Sequence, residues 1–222
     1  MKVVVKNKGR SKRSGKITRR EVAKIAQQSV LQLSESKVID SHFALNVGSS
    51  TVGTPIVSPI FNISQGSSEN ERDGNHVRPF YCGGRYTLKG NANSTDPPVR
   101  VRVMLIRWKQ NTGATGEPTW GDLLHNQAYP FTYYLSNNDK SFTVLYDARH
   151  LIVNHTENEG YTVYGEWNLN SNRLVKHDIS FNDTGTAGEN KLYMVVISNA
   201  VDATTTRHPL YTCDVRLKYK DF

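Results

Sequence analysis

The stretch YTCDVRLKYK, residues 211–220, alternates without a break. Tyr211, Cys213, Val215, Leu217 and Tyr219 fall on one side, Thr212, Asp214, Arg216, Lys218 and Lys220 on the other. A period of two held this long is that of a β-strand with one face in a core and the other in water. Working back along the chain, Leu192, Met194 and Val196 share a face, as do Val175, Ile179 and Phe181, and strand character returns over 141–153 and 131–135. In 99–108 the apolar Val99, Val101, Val103 and Leu105 alternate with Arg100 and Arg102, until Met104 and Ile106 turn apolar as well, so one end is the more buried. The reversal Glu71-Arg72-Asp73-Gly74-Asn75 feeds a long strand over 76–89, within which Gly83-Gly84 marks a bulge or a close approach. Pro118-Thr119-Trp120-Gly121-Asp122-Leu123-Leu124 is the body's one short helical segment, and 55–61, holding two prolines, reads as an edge strand. About eight strands with one brief helical interruption describe an all-β sandwich. Periodicity leaves immunoglobulin and jelly-roll topologies both open.

Upstream of this body the composition changes. Residues 41–71 are rich in Gly, Ser, Thr, Asn and Pro, and the stretch 35–54 reads as a linker into a body spanning 55–222. Residues 18–34 read as an amphipathic helix. Thr18 and Glu21 form a capping box, Ile17 and Val22 a hydrophobic staple, and Val22, Ile25, Ala26, Val30 and Leu33 an apolar stripe. Residues 1–17 mix Gly, Ser and Asn with closely spaced cations and lack apolar periodicity, so they read as a disordered arm.

Charge is segregated in the same way. Of the 28 Lys and Arg and 20 Asp and Glu in the 222 residues, the first 25 residues take ten and one, leaving 18 and 19. The body is near neutral, and the net +8 belongs to the arm. Lys2, Lys6, Lys8, Arg10, Lys12, Arg13, Lys16, Arg19, Arg20 and Lys24 are the candidate nucleic-acid-binding residues. They neutralise phosphates by attraction and counterion release, which needs charge density and no fixed fold. No aromatic residue interleaves with them, so the arm reads polymer rather than base. Arg19, Arg20 and Lys24 oppose the dipole at the helix start, which an anionic partner would relieve. A nuclear-localisation signal within 8–16 is compatible with this reading, whereas a membrane patch lacks hydrophobic anchors.

Other chemistry is sparse. Cys82 and Cys213 lie far apart with no ligand spacing, which points to a reduced compartment and away from a disulfide or zinc framework. Val3-Val4-Val5 is too short for a signal-peptide core, and Met194-Val195-Val196-Ile197 too short to span a bilayer. Without an export signal, the sequons at Asn62, Asn93, Asn154 and Asn182 read as chance. His76, His155 and His177 accompany no nucleophile, phosphate-loop or zinc motif, so no enzyme is indicated. His177 and Asp178 read as alternating strand positions on opposite sides. The acidic runs at 69–73 and 157–159 have oxygen ligands for calcium but no EF-hand spacing, and they read as solvated loops.

In order, these parts resemble the coat proteins of satellite tobacco necrosis virus and of small circular single-stranded DNA viruses. The resemblance covers roughly 18–150. It rests on the helix after a basic arm, Glu71-Arg72-Asp73-Gly74-Asn75-His76-Val77, the strand Arg100-Val101-Arg102-Val103-Met104-Leu105-Ile106-Arg107-Trp108, the Pro118–Leu124 segment, and Lys140-Ser141-Phe142-Thr143-Val144-Leu145-Tyr146-Asp147. It implies a single eight-stranded jelly-roll domain of a capsid protein. Such a protein self-assembles into an icosahedral shell of ~60 copies, with the arms inside on a single-stranded DNA or RNA genome. It further implies location in the virion, with a nuclear phase during assembly, no membrane and no cofactor of catalysis. Calcium at subunit contacts belongs to the same implication, without ligands assigned in this chain. The competing expectation is a cellular β-sandwich binding module, such as a carbohydrate binder, with a nuclear or nucleic-acid-binding tail.

Overall fold

The computed structural model describes residues 18–33, 35–48, 56–90, 97–126, 131–135, 141–153, 161–174, 177–183, 185–200 and 208–221. The chain divides into two units, Met1–Ser34 and Glu35–Phe222. In the first, helix α1 spans Arg19–Leu33. Its start is the expected capping box: the Thr18 amide donates to the Glu21 carboxylate at 2.7 Å and the Glu21 amide to the Thr18 hydroxyl at 3.2 Å. The staple partner Ile17 lies outside the described residues.

Among its described residues the second unit contains ten strands: β1 (Ser36–Asn46), β2 (Ile56–Pro59), β3 (His76–Lys89), β4 (Val99–Trp108), β5 (Phe142–Ile152), β6 (Thr162–Asn170), β7 (Ile179–Phe181), β8 (Gly188–Glu189), β9 (Lys191–Ser198) and β10 (Leu210–Asp221). Sheet A runs β1-β10-β3, with β6 pairing along most of β3 and the short β7 and β8 continuing from its start; sheet B runs β2-β9-β4-β5. All pairs are antiparallel and nested, β1 with β10, β2 with β9, β3 with β6 and β4 with β5. That is one long hairpin rolled up so that β10 also meets β3 and β9 also meets β4. This nesting defines a jelly roll, not an immunoglobulin sandwich.

The stretch read as a linker over 35–54 is corrected by β1, and the body begins at residue 35 rather than 55. Ile39 and Phe43 of β1 pack on the core, but the next inward residue along the strand is Lys37, which hides the alternation. Its ammonium is buried between Asp73 at 3.1 Å and Asp221 at 3.4 Å. Burial opposes that charge, yet the two carboxylates outweigh it and hold the pKa above the usual lysine range. The strand at 56–59 does lie on an edge, as its prolines require.

The main core lies between the sheets. Tyr211, Cys213, Val215, Leu217 and Tyr219 all point into it, as the sequence pattern requires, against Val101, Val103 and Leu105 of β4 and Leu192, Met194 and Val196 of β9. Both cysteines are free and buried, and burial pushes the Cys82 thiol up to about 12. A second cluster covers the other face of sheet B, where Met104, Ile106, Trp108, Tyr193 and Val195 meet Leu123, Leu124 and Phe142. It explains why β4 becomes apolar on both sides. The cover includes the residues after a 3₁₀ turn at Trp120–Asp122, the expected helical segment, while short α2 (Thr112–Thr115) meets β8, whose Gly188 amide donates to the Thr112 hydroxyl. Within 131–135 the expected strand is reduced to a bridge between Leu124 and Tyr134. Short α3 (Ser171–Leu174) follows β6. At the cover's rim Arg102 forms a bidentate pair with Asp147 at 2.9 and 2.7 Å, under the ring of Tyr134.

Arg72 clasps the loops at one end of the roll. It is fully buried, and its guanidinium donates to the carbonyls of Ile63, Gly74, Asp183 and Gly185 and to Asn75 Oδ1, while stacking 4.5 Å from the centre of the Phe181 ring. One side chain thus joins the β2–β3 loop to the β7–β8 loop.

Gly83-Gly84 is a close approach, and its two residues differ. A side chain at Gly84 would enter the buried Trp167 ring, whereas one at Gly83 would meet only the movable end of Tyr81. Gly84→Ala therefore lowers unfolding stability by about 1–3 kcal/mol, and Gly83→Ala by clearly less, as measured by denaturant unfolding. Equal effects would remove Trp167 packing as the reason for the glycine.

Candidate nucleic-acid interface

Of the ten predicted contact residues, Arg19, Arg20 and Lys24 are described, all exposed on the first two turns of α1. Lys2, Lys6, Lys8, Arg10, Lys12, Arg13 and Lys16 lie outside the described residues. Helical spacing brings Arg20 and Lys24 to one face of α1, with Val22 and Ile25 exposed on the opposite one. Glu21 is the one acid in that first turn, and hydrogen bonds from the Thr18 amide and hydroxyl hold its carboxyl below the ordinary range. The cationic face of the helix therefore presents no carboxylate of its own.

The second unit begins at Glu35, and its first strand, β1, lies on the edge of sheet A. From there the face of sheet A turned away from the core carries rows of cross-strand pairs. Lys220 lies opposite Ser36 and Arg78; Lys218 opposite Val38 and Tyr81; Arg216 opposite Asp40 and Gly83; Asp214 opposite His42 and Arg85. Across β3, Arg85 faces Glu166 and Thr87 faces Tyr164. A groove of about 720 Å³ lies there, walled by Asp40, Arg216, Arg85 and Asn168. A second depression of about 320 Å³, between Thr87, Thr212 and Tyr164, shares Arg85 and Glu166 with the first. The polar pairs of this face are exposed: the ion pairs of Arg216 with Asp40 at 2.7 Å and of Arg85 with Glu166 at 3.8 Å, and the hydrogen bond between His42 and Asp214 at 2.7 Å. Such pairs contribute at most about 1 kcal/mol and exchange partners readily.

Sequence reasoning placed Arg216, Lys218 and Lys220 on one side of a strand but missed Tyr81, Arg85 and Tyr164 as their neighbours. The missing information was the pairing of β10 with β3 and of β3 with β6, which links positions far apart in the chain.

Among the described residues, no three His, Cys, Asp or Glu side chains converge as a metal site requires. Of the acidic run 69–73, Glu71 caps the Ser68 amide and Asp73 pairs with Lys37; the run 157–159 lies outside the described residues. His42 with Asp214 and His76 with Ser180 are separate cross-strand pairs. His177 and Asp178 precede β7 rather than lying in it, and Asp178 forms a bidentate pair with Arg78 at 2.6 and 2.7 Å.

No family model matches the chain, and no curated protein matches it in sequence. Among solved structures it is similar to that of Desmodium yellow mottle tymovirus, at 12% identity and a TM-score of 0.35, covering 84% of this chain and 89% of that one. It is also similar to the 60-mer BFDV capsid protein, at 11% identity and a TM-score of 0.35 over 85% and 92% of the two chains. For the decameric BFDV capsid protein the values are 9%, 0.34, 84% and 96%. At TM-scores this low it is the strand order of the chain itself, rather than these overlaps, that defines the fold.

Proposed function

We propose that this chain is a capsid protein that assembles into a small closed shell and holds a single-stranded genome through its basic N-terminal arm. One observation carries the reading: a near-neutral jelly roll is joined, at the edge strand of one sheet, to a segment holding ten of the chain's 28 cations and one of its acids. A domain with neutral surfaces can pack against copies of itself, while a tethered polycation neutralises a polymer without reading it. In the simplest icosahedral shell, ~60 arms of about nine net charges each bring on the order of 540 positive charges to the interior, the scale of a genome of roughly a kilobase, about half of whose phosphates they would neutralise. The proposed location is the virion, with assembly in the host nucleus, and no catalytic step is assigned to any residue.

The full-length protein mixed with single-stranded nucleic acid sediments as uniform closed particles of megadalton mass, visible as spheres by electron microscopy. Monomers or small oligomers across a range of salt and pH would instead favour a β-sandwich binding module with a nucleic-acid-binding tail.

A further inference from the structure

We propose that the face of sheet A turned away from the core is a second nucleic-acid contact surface. Unlike the arm, it engages bases, which stack on Tyr81 and Tyr164 while Arg85, Arg216 and Lys218 meet the phosphates between them. The proposal rests on the nucleic-acid reading above and extends it from the arm to the body.

Charge selects the occupant. With the Arg78–Asp178 pair set aside, the outward positions of β1, β10, β3 and β6 carry Arg85, Lys89, Arg216, Lys218 and Lys220 against Asp40, Asp214 and Glu166, five minus three or +2. Residues 26–222 sum to −1, so this face is net positive within a body that is slightly negative overall. A polyanion is favoured on such a face, and the exposed ion pairs are weak enough for phosphates to replace their carboxylates.

Aromatic placement selects the mode. Tyr164 is 76% exposed although it sits within a sheet, and Tyr81 lies over Gly83 with Lys218 Nζ 5.4 Å from the centre of its ring. Because Tyr164 is opposite Thr87, the two tyrosines are separated by six residues along β3 and by one strand, about 20 Å. Arg85, with its side chain 88% exposed, stands between them. An open groove with a ring at each end and a mobile guanidinium in the middle suits a short single-stranded segment whose bases are splayed, and a duplex hides the faces such rings need. Stacking on a ring tolerates any base, so this surface adds affinity without sequence preference.

The test uses full-length protein and two probes of equal phosphate count: an oligo(dT) long enough to span the groove, and its fully abasic counterpart, each titrated by fluorescence anisotropy. Wild type binds oligo(dT) more tightly. Tyr164→Ala weakens oligo(dT) binding about 5- to 100-fold and leaves abasic binding unchanged, while Tyr164→Phe restores it. Tyr81→Ala, with its fold checked by thermal denaturation, acts in the same direction. Replacing the cations of residues 2–16 by serine weakens both probes alike and keeps their ratio. Equal binding of both probes by wild type, with the arm dependence intact, overturns the stacking surface and leaves the packaging reading standing. Failure to bind either probe overturns both.

Discussion

Truncation of residues 2–16 flattens the salt dependence of single-stranded nucleic-acid binding by up to about 5 in log–log slope. The deletion removes the seven cations Lys2, Lys6, Lys8, Arg10, Lys12, Arg13 and Lys16, and each lost phosphate contact is worth ~0.7 of slope. Between 50 and 200 mM salt, the full-length protein then loses about three orders of magnitude more affinity than the truncated one. The Thr18–Glu21 capping box and the whole jelly roll lie downstream of the cut, so the circular dichroism spectrum and melting transition of the body stay in place. Scrambling the arm at constant charge changes affinity little, because counterion release depends on how many phosphates are neutralised and not on the order of the residues. An unchanged slope after truncation, or loss of binding on scrambling, would show that the arm is not an electrostatic anchor.

Replacing Arg72 by methionine lowers unfolding stability by about 3–5 kcal/mol, because several buried acceptors lose their donors at about 1–3 kcal/mol each. No surface substitution approaches that cost. The guanidinium is held by four carbonyls and one side-chain amide oxygen drawn from two loops, and methionine fills the volume but leaves those acceptors buried without donors. Burial lowers the Arg72 pKa from its ordinary value, but a guanidinium starts so high that it stays charged at any working pH. For a domain of this size the loss corresponds to a melting temperature lower by roughly 6–20 °C. Arg72→Lys falls between, since a point charge reaches fewer of the acceptors that a planar fork satisfies together. A loss below about 1 kcal/mol for the methionine variant, read from urea unfolding, would mean that solvent reaches the carbonyls and the clasp is not structural.

Where one physical cause dominated, the sequence was legible. The 211–220 alternation, the strands at 76–89 and 99–108, the proline-marked edge strand and the capped helix all appear where local pattern requires them. β1 was not legible because a buried lysine at position 37 reads as solvent-facing until the carboxylates of Asp73 and Asp221, supplied by distant segments, are seen around it. The inner role of Arg72 was hidden in the same way: in sequence it lies in a charged turn, and only the approach of the 182–187 loop encloses it. The outward face of sheet A combines residues from β1, β3, β6 and β10, and short-range periodicity carries no register between such segments.

The pairing of the first strand of the roll with the last also sets a schedule for the chain as it is made. β10 occupies the middle of sheet A, between β1 and β3, and it ends at Asp221. Until translation has delivered it, β1 has no neighbour in its sheet, so the roll cannot close before that strand has been made. The cationic segment, by contrast, is made before any strand of the roll and needs no folded support to attract a polyanion. A chain stopped short of residue 210 therefore keeps its positive charge but lacks the centre of a sheet, which leaves its core uncovered and open to proteolysis.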